Sequence, residues 1–228
     1  QLLELPQIAA INFHDGPLPL MGGAQTPAWA VFEGREQHAS TWHLMVEQVD
    51  AGAVLAERWF PLHDHSTALS AMFESMGAAA EAFDSLIPAI VARQTPEPLE
   101  LPKREPRFFR INERFAGGGV IHAGSDSQFA ARVSRALDFG SCRNPLGLPT
   151  LVSQQGLLFA RQVRSLPDSP REGSDVARVV SVTRSAITLA TRTGHMVLSN
   201  FQLPDGSTVS GEGAAQRLGA VAGQPLLA

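Results

Sequence analysis

The sequence predicts an α/β domain followed by a second domain of short strands that close into a small β-barrel. Two observations support this fold class. A chain of 228 residues can bury one large core or two modest ones. A segment rich in Pro and charge, from about 94 to 119, separates a half that mixes strand and helix patterns from a half dominated by short strands. We therefore place the first domain at 1–115, with its linker starting near 94, and the second at 116–228.

Composition excludes several protein classes. Hydrophobic residues make up 44% of the chain and charged residues 18%, which is ordinary globular usage. No apolar run approaches the roughly 20 residues that cross a bilayer, so we expect no membrane partner. The single Cys142 excludes an internal disulfide framework and favours a cytoplasmic location. The chain starts at Gln1 rather than Met, so we expect a fragment of a longer protein.

Charge differs between the two halves. Residues 1–115 contain 8 Lys and Arg against 15 Asp and Glu, a net charge of −7, whereas residues 116–228 contain 10 against 7, a net charge of +3. A mildly basic second domain is compatible with an acidic partner such as a carrier protein. It is too weakly basic for nucleic acid, which usually requires a dense Lys and Arg stripe. Ordinary solvated surface remains the alternative.

The first elements form a strand, a loop and a helix. Ile8 to Phe13 is an apolar run that ends in polar residues, which is typical of a buried parallel strand that delivers side chains to a site at its carboxyl end. Residues 15–27 concentrate Pro and Gly and therefore form a loop, a common place for ligand binding. Ala28 to Glu33 resumes as a short helix.

A hairpin and a long helix follow. Thr41 to Val49 and Ala53 to Phe60 are strand-like runs separated by a compact turn at Asp50, Ala51 and Gly52. Ser66 to Ala92 shows helical periodicity with a cap at its first or second residue. We place its Met and Phe stripe in the core.

The second half begins with a helix and continues with strands. Ser125 to Asp138 is amphipathic and predicts a helix. Turn residues separate four strand candidates, and this regular spacing predicts the small barrel. The candidates are Leu157 to Val163, Ala177 to Thr183, Ala186 to Thr191 and Met196 to Leu203.

Asn12 and His14 lie two residues apart near the end of the first predicted strand, so their side chains project from the same face. An amide NH₂ can donate to an oxygen that gains negative charge, and imidazole can accept a proton at neutral pH. Asp50 can orient the imidazole if the hairpin turns back toward that strand. Spacing alone leaves a second interpretation open, in which these residues satisfy strand-end and turn backbone groups.

An ordered set of motifs resembles the folate-dependent formyltransferases. The motifs are Asn12-Phe13-His14, the Leu18-Pro19 loop, Trp29-Ala30, Thr41-Trp42-His43-Leu44-Met45 and Asp50-Ala51-Gly52. The resemblance implies that Asn12, His14 and Asp50 are catalytic. It also implies that Leu18, Pro19, Val49 and Asp50 line a site for 10-formyltetrahydrofolate, the formyl donor.

The same resemblance implies a fold and a substrate. The first domain would be a partial Rossmann-like formyltransferase domain without its amino-terminal part, and the second an OB-like barrel. The segments FHDGPLP and TWH are most similar to formylation domains of nonribosomal peptide synthetases, which act on an aminoacyl group on a carrier protein. An amino sugar, an aminoacyl-tRNA and a catalytically inactive docking domain are the alternatives.

Two further histidine positions are ambiguous. His63-Asp64-His65 contains metal-ligating side chains, but it falls between a strand and a helix cap, where polar loop residues are normal, so we expect no metal. His43 either faces the cleft or is a half-buried strand histidine.

Overall fold

The computed structural model of the chain describes Leu3 and residues 5–166 and 176–227. It divides into two compact units, residues 1–113 and 114–228. No helix among the described residues is long and apolar enough to cross a membrane. The first unit contains β1 (Ile11–His14), β2 (Gly22–Gly23), α1 (Thr26–Glu33), β3 (Gln37–Leu44), β4 (Val54–Pro61), α2 (Ala68–Phe83), α3 (Ile87–Val91) and β5 (Phe108–Phe109).

The main sheet of the first unit, in the order β1–β3–β4, packs on α2 through the face that carries Phe13 and Trp42. Phe13 lies opposite Trp42 in the register of β1 and β3, and their ring centroids are 5.7 Å apart. The Trp42 ring also lies 4.9 Å from that of Phe83 on α2, and its indole N–H donates to the Ala79 carbonyl at 2.8 Å. Because side chains alternate along a strand, the neighbouring polar residues of β1 and β3 face the opposite side.

The direction of the first strand differs from the prediction. We expected a parallel strand from the apolar run before Asn12, but β1 pairs with β3 in antiparallel orientation, with Ile11 opposite Leu44 and His14 opposite Thr41. An apolar run indicates burial, and burial does not set the direction of the partner strand. The prediction of a strand that carries Asn12 and His14 is confirmed.

The predicted hairpin forms, but with different bounds. β3 and β4 are antiparallel, and β3 starts at Gln37 and ends at Leu44, so nine residues connect it to Val54. We expected the strand to continue to Val49. The apolar side chains that suggested this are exposed, since Met45 is 44% and Val49 66% accessible. The apparent strand pattern therefore does not reflect burial.

The predicted helix from Ser66 to Ala92 is two helices, and its core face is different. Thr67 caps α2 in a capping box, and the helix ends at Phe83. The predicted Met and Phe core stripe is wrong at Phe73 and Met76, which are more than half exposed, whereas Phe83 packs against the core. Small side chains let a helix approach its neighbours closely, and the buried face of α2 is formed by Ala68, Ala71, Ser75, Ala78, Ala79 and Ala82.

The region predicted as the start of the linker packs against the first unit. Leu99 N–H donates to the Val54 carbonyl at 2.7 Å. Further along, β5 pairs in parallel with β2, placing Phe108 beside Gly22 and Phe109 beside Gly23. A segment rich in Pro has few local hydrogen bonds, but it can still dock as an extended chain. We call residues 99–109 the strap.

The described residues of the second unit form a seven-stranded sheet. The main order is β6–β7–β8–β11–β10–β9, with β12 paired to β11. In the described residues β6 and β9 do not pair, so the predicted OB-like barrel closure is not found there. Closure depends on pairing between the first and last strands, which no local pattern encodes. The elements are β6 (Val120–Ile121), α4 (Ser127–Ala136), β7 (Thr150–Ser153), β8 (Gly156–Leu166), β9 (Val179–Val182), β10 (Ala186–Thr191), β11 (Gly194–Gln202), β12 (Thr208–Val209) and α5 (Gly211–Leu218).

Candidate active site

Strands β1 and β3 place four polar side chains on one face of their sheet. Asn12 lies opposite His43 and His14 lies opposite Thr41 in the strand register. The side chains of His14, Thr41 and His43 are buried, and that of Asn12 is half-buried. Buried polar groups require hydrogen-bonding partners, so the contacts of these side chains define the site.

The contact between Asn12 and His43 fixes the orientation of the Asn12 amide. Nδ1 of His43 lies 2.8 Å from the Leu44 carbonyl, which can only accept, so Nδ1 carries the proton. Burial lowers the pKa of His43 and keeps the ring neutral, and Nε2 is then an acceptor. Nδ2 of Asn12, 3.2 Å from that atom, is the donor. The second amide hydrogen of Asn12 remains for another acceptor.

His14 is held between a backbone carbonyl and a carboxylate. Its Nε2 lies 2.6 Å from the Met21 carbonyl and therefore donates to it. Its Nδ1 lies 3.7 Å from Oδ2 of Asp50. This distance is longer than a hydrogen bond, so Asp50 does not accept a direct hydrogen bond from the imidazole that it was expected to orient. The two groups nevertheless lie within ion-pair distance.

The connection between β3 and β4 carries Asp50 to this face. Asp50 has a left-handed backbone, φ 57°, and its Oδ2 accepts from the Gly23 N–H at 2.7 Å. Its Oδ1 lies 3.7 Å from Nε2 of His43. Gly52 permits this course, since a Cβ there would collide with the Leu44 carbonyl. The structure thus brings Asn12, His14 and Asp50 together.

The residues predicted to bind the donor occupy two loops. Leu18 is buried, and the peptide bond that joins it to Pro19 is cis. Pro19 is exposed, and Val49 is 66% accessible. The Leu18 side chain is therefore part of the core rather than of a binding surface. Pro19 and Val49 present apolar side chains to solvent, and Asp50 faces His14.

Comparison with solved structures shows which fold this is. The sequence matches no protein-family profile. The N-formyltransferase from Helicobacter canadensis, in complex with folinic acid and dTDP-3-aminofucose, is similar at a TM-score of 0.61 and 14% identity, over 83% of this chain and 65% of that chain. HypX from Aquifex aeolicus, in complex with tetrahydrofolic acid, is similar at 0.69 and 16% identity, over 95% of this chain and 36% of that chain.

The chain shares their fold. WlaRD, a sugar 3N-formyl transferase whose structure was determined in the presence of dTDP and 5-N-formyl-THF, is also similar, with a TM-score of 0.60, 14% identity and coverage of 83% of this chain and 64% of that chain. The mixed α/β architecture predicted from the sequence is therefore confirmed as the fold of N-formyltransferases. This chain spans slightly less than two thirds of the Helicobacter canadensis enzyme and of WlaRD, and about a third of HypX.

Two site residues were not assigned from the sequence. Thr41 donates to the Gly16 carbonyl at 2.7 Å and accepts from the Leu18 N–H at 3.4 Å, which ties the loop to β3. His43 was ambiguous, and the structure places it on the site face beside Asn12. Only the register between β1 and β3 reveals both positions, and register is not readable from one strand.

A second buried polar cluster surrounds the backbone of Asp15, the residue that follows His14. The carbonyl of Asp15 accepts from Oγ1 of Thr26 at 2.6 Å and from Nε2 of His38 at 2.7 Å. Burial raises the pKa of the Asp15 carboxyl, an effect that the nearby His14 reduces. Burial also lowers the pKa of His38 to about 4, so this ring is neutral at physiological pH. These contacts fix the backbone that follows His14.

Among the described residues, no group of three or more His, Cys, Asp or Glu side chains is placed to hold a metal ion. The rings of His63 and His65 are stacked with centroids 5.4 Å apart, and both residues are exposed.

Proposed function

We propose that this protein transfers a formyl group from 10-formyltetrahydrofolate to a primary amine. The observation that carries the proposal is the convergence of Asn12, His14 and Asp50 at one sheet face, although Asp50 comes 36 positions after His14 in the sequence. The fold shared with N-formyltransferases supports it. The trio provides the donor and the proton carrier that acyl transfer to an amine requires.

Asn12 would stabilise the negative charge that develops during the reaction. The amine nitrogen attacks the formyl carbon, a new C–N bond forms, and the carbonyl oxygen becomes an oxyanion. One amide hydrogen of Asn12 is held by His43, and the other can donate to that oxygen. Because His43 holds the amide in place beforehand, little reorganisation accompanies charge development.

His14 would carry the proton. The attacking amine becomes acidic and loses a proton to Nδ1 of His14, because Nε2 already donates to the Met21 carbonyl. The resulting imidazolium lies 3.7 Å from the Asp50 carboxylate, which stabilises its charge. The proton then passes to N10 of the folate as the bond between N10 and the formyl carbon breaks, releasing tetrahydrofolate.

The donor would lie against the two loops beside these groups. Pro19 and Val49 offer apolar contact area, and Asp50 lies between the loops and His14. The Leu18 carbonyl is already an acceptor for Arg104, so we assign Leu18 a role in shaping this loop rather than in direct side-chain contact with the folate.

For the acceptor we propose the amine of an aminoacyl group on a carrier protein. The net charge of +3 over residues 116–228 supports an acidic macromolecular partner. The second candidate is an amino sugar, which the similarity to a structure that contains dTDP-3-aminofucose favours. Both acceptors present a primary amine, so the same trio serves either one.

A panel of acceptors tests the proposal. The protein is incubated with 10-formyltetrahydrofolate and, separately, with an aminoacyl-loaded carrier protein, a dTDP-amino sugar and an aminoacyl-tRNA. Mass spectrometry then detects the formyl group on each acceptor. We expect transfer to the carrier-bound amine. Transfer to the sugar alone selects the second candidate, and transfer to none of the three refutes formyl transfer to these classes of amine.

A further inference from the structure

The strap makes several contacts with the loop that follows His14. The Arg107 N–H donates to the Pro19 carbonyl at 3.1 Å, and the Arg107 carbonyl accepts from the Gly22 N–H at 2.8 Å. Phe109, which is fully buried, stacks on Trp29 with centroids 4.7 Å apart and accepts from the Ala24 N–H. An extended segment without regular structure over most of its length is thus fixed along this loop.

Arg104 is the central contact of the strap. Its guanidinium binds Glu57 of β4 through two nitrogens, at 2.6 and 2.9 Å, and also donates to the Leu18 carbonyl at 3.1 Å. Trp59 donates to the same carboxylate at 2.7 Å. The two charged side chains are 13% and 6% accessible. Such a fork of parallel bonds defines both distance and orientation.

Through Glu57, the ion pair is next to the residues of the site face. It lies directly opposite Thr41 in the register of β3 and β4, and Thr41 bonds the Gly16 carbonyl and the Leu18 N–H of the loop. The backbone at Leu18 is therefore held from both sides, by Thr41 through its N–H and by Arg104 through its carbonyl.

The part of the loop that the strap holds touches both members of the His14–Asp50 pair. The Met21 carbonyl is the partner of Nε2 of His14, and the Gly23 N–H is the partner of Oδ2 of Asp50. Gly22, between them, is bonded to the strap. A shift of this backbone by a fraction of an ångström would therefore alter both contacts together.

We propose that Arg104 is a positioning residue, which acts through Leu18 and the strap to hold His14 and Asp50 in their reactive arrangement. This inference rests on the proposed formyl transfer. Arg104 itself contacts neither member of the pair; it fixes the backbone that contacts them. Misplacement of catalytic groups by about 1 Å can lower a rate by roughly 100-fold.

The test compares a charge-free variant with a surface control. Arg104→Met alone would leave a buried, unpaired Glu57 and endanger folding. The double variant Glu57→Gln/Arg104→Met removes both charges and keeps similar volumes. Arg58→Met is the matched control. Arg58 lies next to Glu57 on β4 and pairs with Glu81 at 2.9 Å, but the side chains of Arg58 and Glu81 are both more than half exposed.

Two readouts separate positioning from mere stability. Amide hydrogen exchange of Gly22, Gly23 and Ala24 reports the loop, and we expect it to be about tenfold faster in the double variant. We expect the kcat for formyl transfer to fall by roughly 10- to 100-fold while the KM for the amine changes less than about twofold. The control should match the wild type in both.

Unchanged exchange in the double variant overturns the proposal, and so does faster exchange with an unchanged kcat. A wild-type protein that transfers no formyl group refutes the proposed function instead. In that case the exchange rates alone decide whether Arg104 holds the loop.

Discussion

The Asp50 carboxylate lies 3.7 Å from Nδ1 of His14, too far for a hydrogen bond but close enough to stabilise a positive charge on the ring. The same oxygen accepts from the Gly23 N–H. The carboxylate is therefore held by the backbone before any proton reaches the imidazole. Asp50 therefore has two roles: its charge stabilises an imidazolium at His14, and its oxygen holds the Gly23 backbone. A substitution that keeps the oxygen and removes the charge can separate them.

Asp50→Asn should retain the structural contact and remove the charge. Its amide oxygen can still accept from Gly23, whereas an imidazolium at His14 loses its counter-charge. We expect kcat to fall by about 100-fold or more, as in catalytic triads that lose this carboxylate. Single-turnover formyl transfer measures it. Asp64→Asn, at an exposed loop position, is the control, and equal rates for the two variants would remove Asp50 from the proton-transfer step.

His43→Phe should disorder the Asn12 amide. The variant keeps a ring of similar shape but leaves the Leu44 carbonyl and the Asn12 donor without their partner. An unsatisfied buried polar group costs about 1–3 kcal/mol and a half-buried one less, so we expect moderately lower stability in urea unfolding. We also expect the transfer rate to fall by at least about tenfold at a temperature where the variant is folded. A folded variant with a normal rate would show that Asn12 needs no support.

Gly16→Ala should disturb His14 directly. A Cβ at this position would lie 2.6 Å from the Met21 carbonyl and 3.0 Å from Nε2 of His14. We expect a loss of about 1–3 kcal/mol of unfolding free energy and a strong loss of transfer. Gly77→Ala is the control, since its Cβ meets nothing within 4 Å in α2 and should stabilise the helix by about 0.5–1 kcal/mol. Equal stabilities of the two variants would contradict the close packing around Gly16.

Acid should destabilise the protein through His38. Its pKa is lowered from 6.5 to about 4 in the folded state, so between these pH values the unfolded chain binds a proton that the folded protein does not. The contribution of neutral His38 to the free energy of unfolding is therefore fully present above pH 6.5. It is lost as the pH falls toward 4, by about 3 kcal/mol in total. The lowered pKa of His43 acts in the same direction, and the raised pKa of Asp15 acts in the opposite one.

Comparison with His38→Gln isolates this contribution. We expect the wild type to lose about 2 kcal/mol more than the variant between pH 7 and pH 4.5, measured by urea unfolding at both values. Equal losses in the two proteins would show that His38 is not the proton-sensitive group.

The sequence was informative where chemistry is local. The spacing of Asn12 and His14 placed both on one strand face, whereas Asp50 joined them only through the resemblance to the formyltransferases. Position along a strand does not reveal which residue lies opposite, so the role of His43 stayed open. Arg104 lies in a Pro-rich segment whose only pattern suggests a linker, and its partner Glu57 is 47 residues away.

The α2 helix shows why the core was harder to predict. Its large apolar side chains and its alanines both recur at helical spacing, so periodicity supports two different buried faces. Close approach to the sheet selects the alanine face and leaves Phe73 and Met76 exposed. The pairing of β6 with β9, which would close a barrel, is equally invisible to local patterns.

The most direct test of the central proposal is the rate at which labelled formyl passes from 10-formyltetrahydrofolate to the amine acceptor selected by the panel. We expect transfer by the wild type, a rate about 1,000-fold lower for His14→Ala, and a rate within about twofold of the wild type for His63→Ala, whose ring is exposed. Equal rates for His14→Ala and the wild type, or no transfer by the wild type, would contradict it.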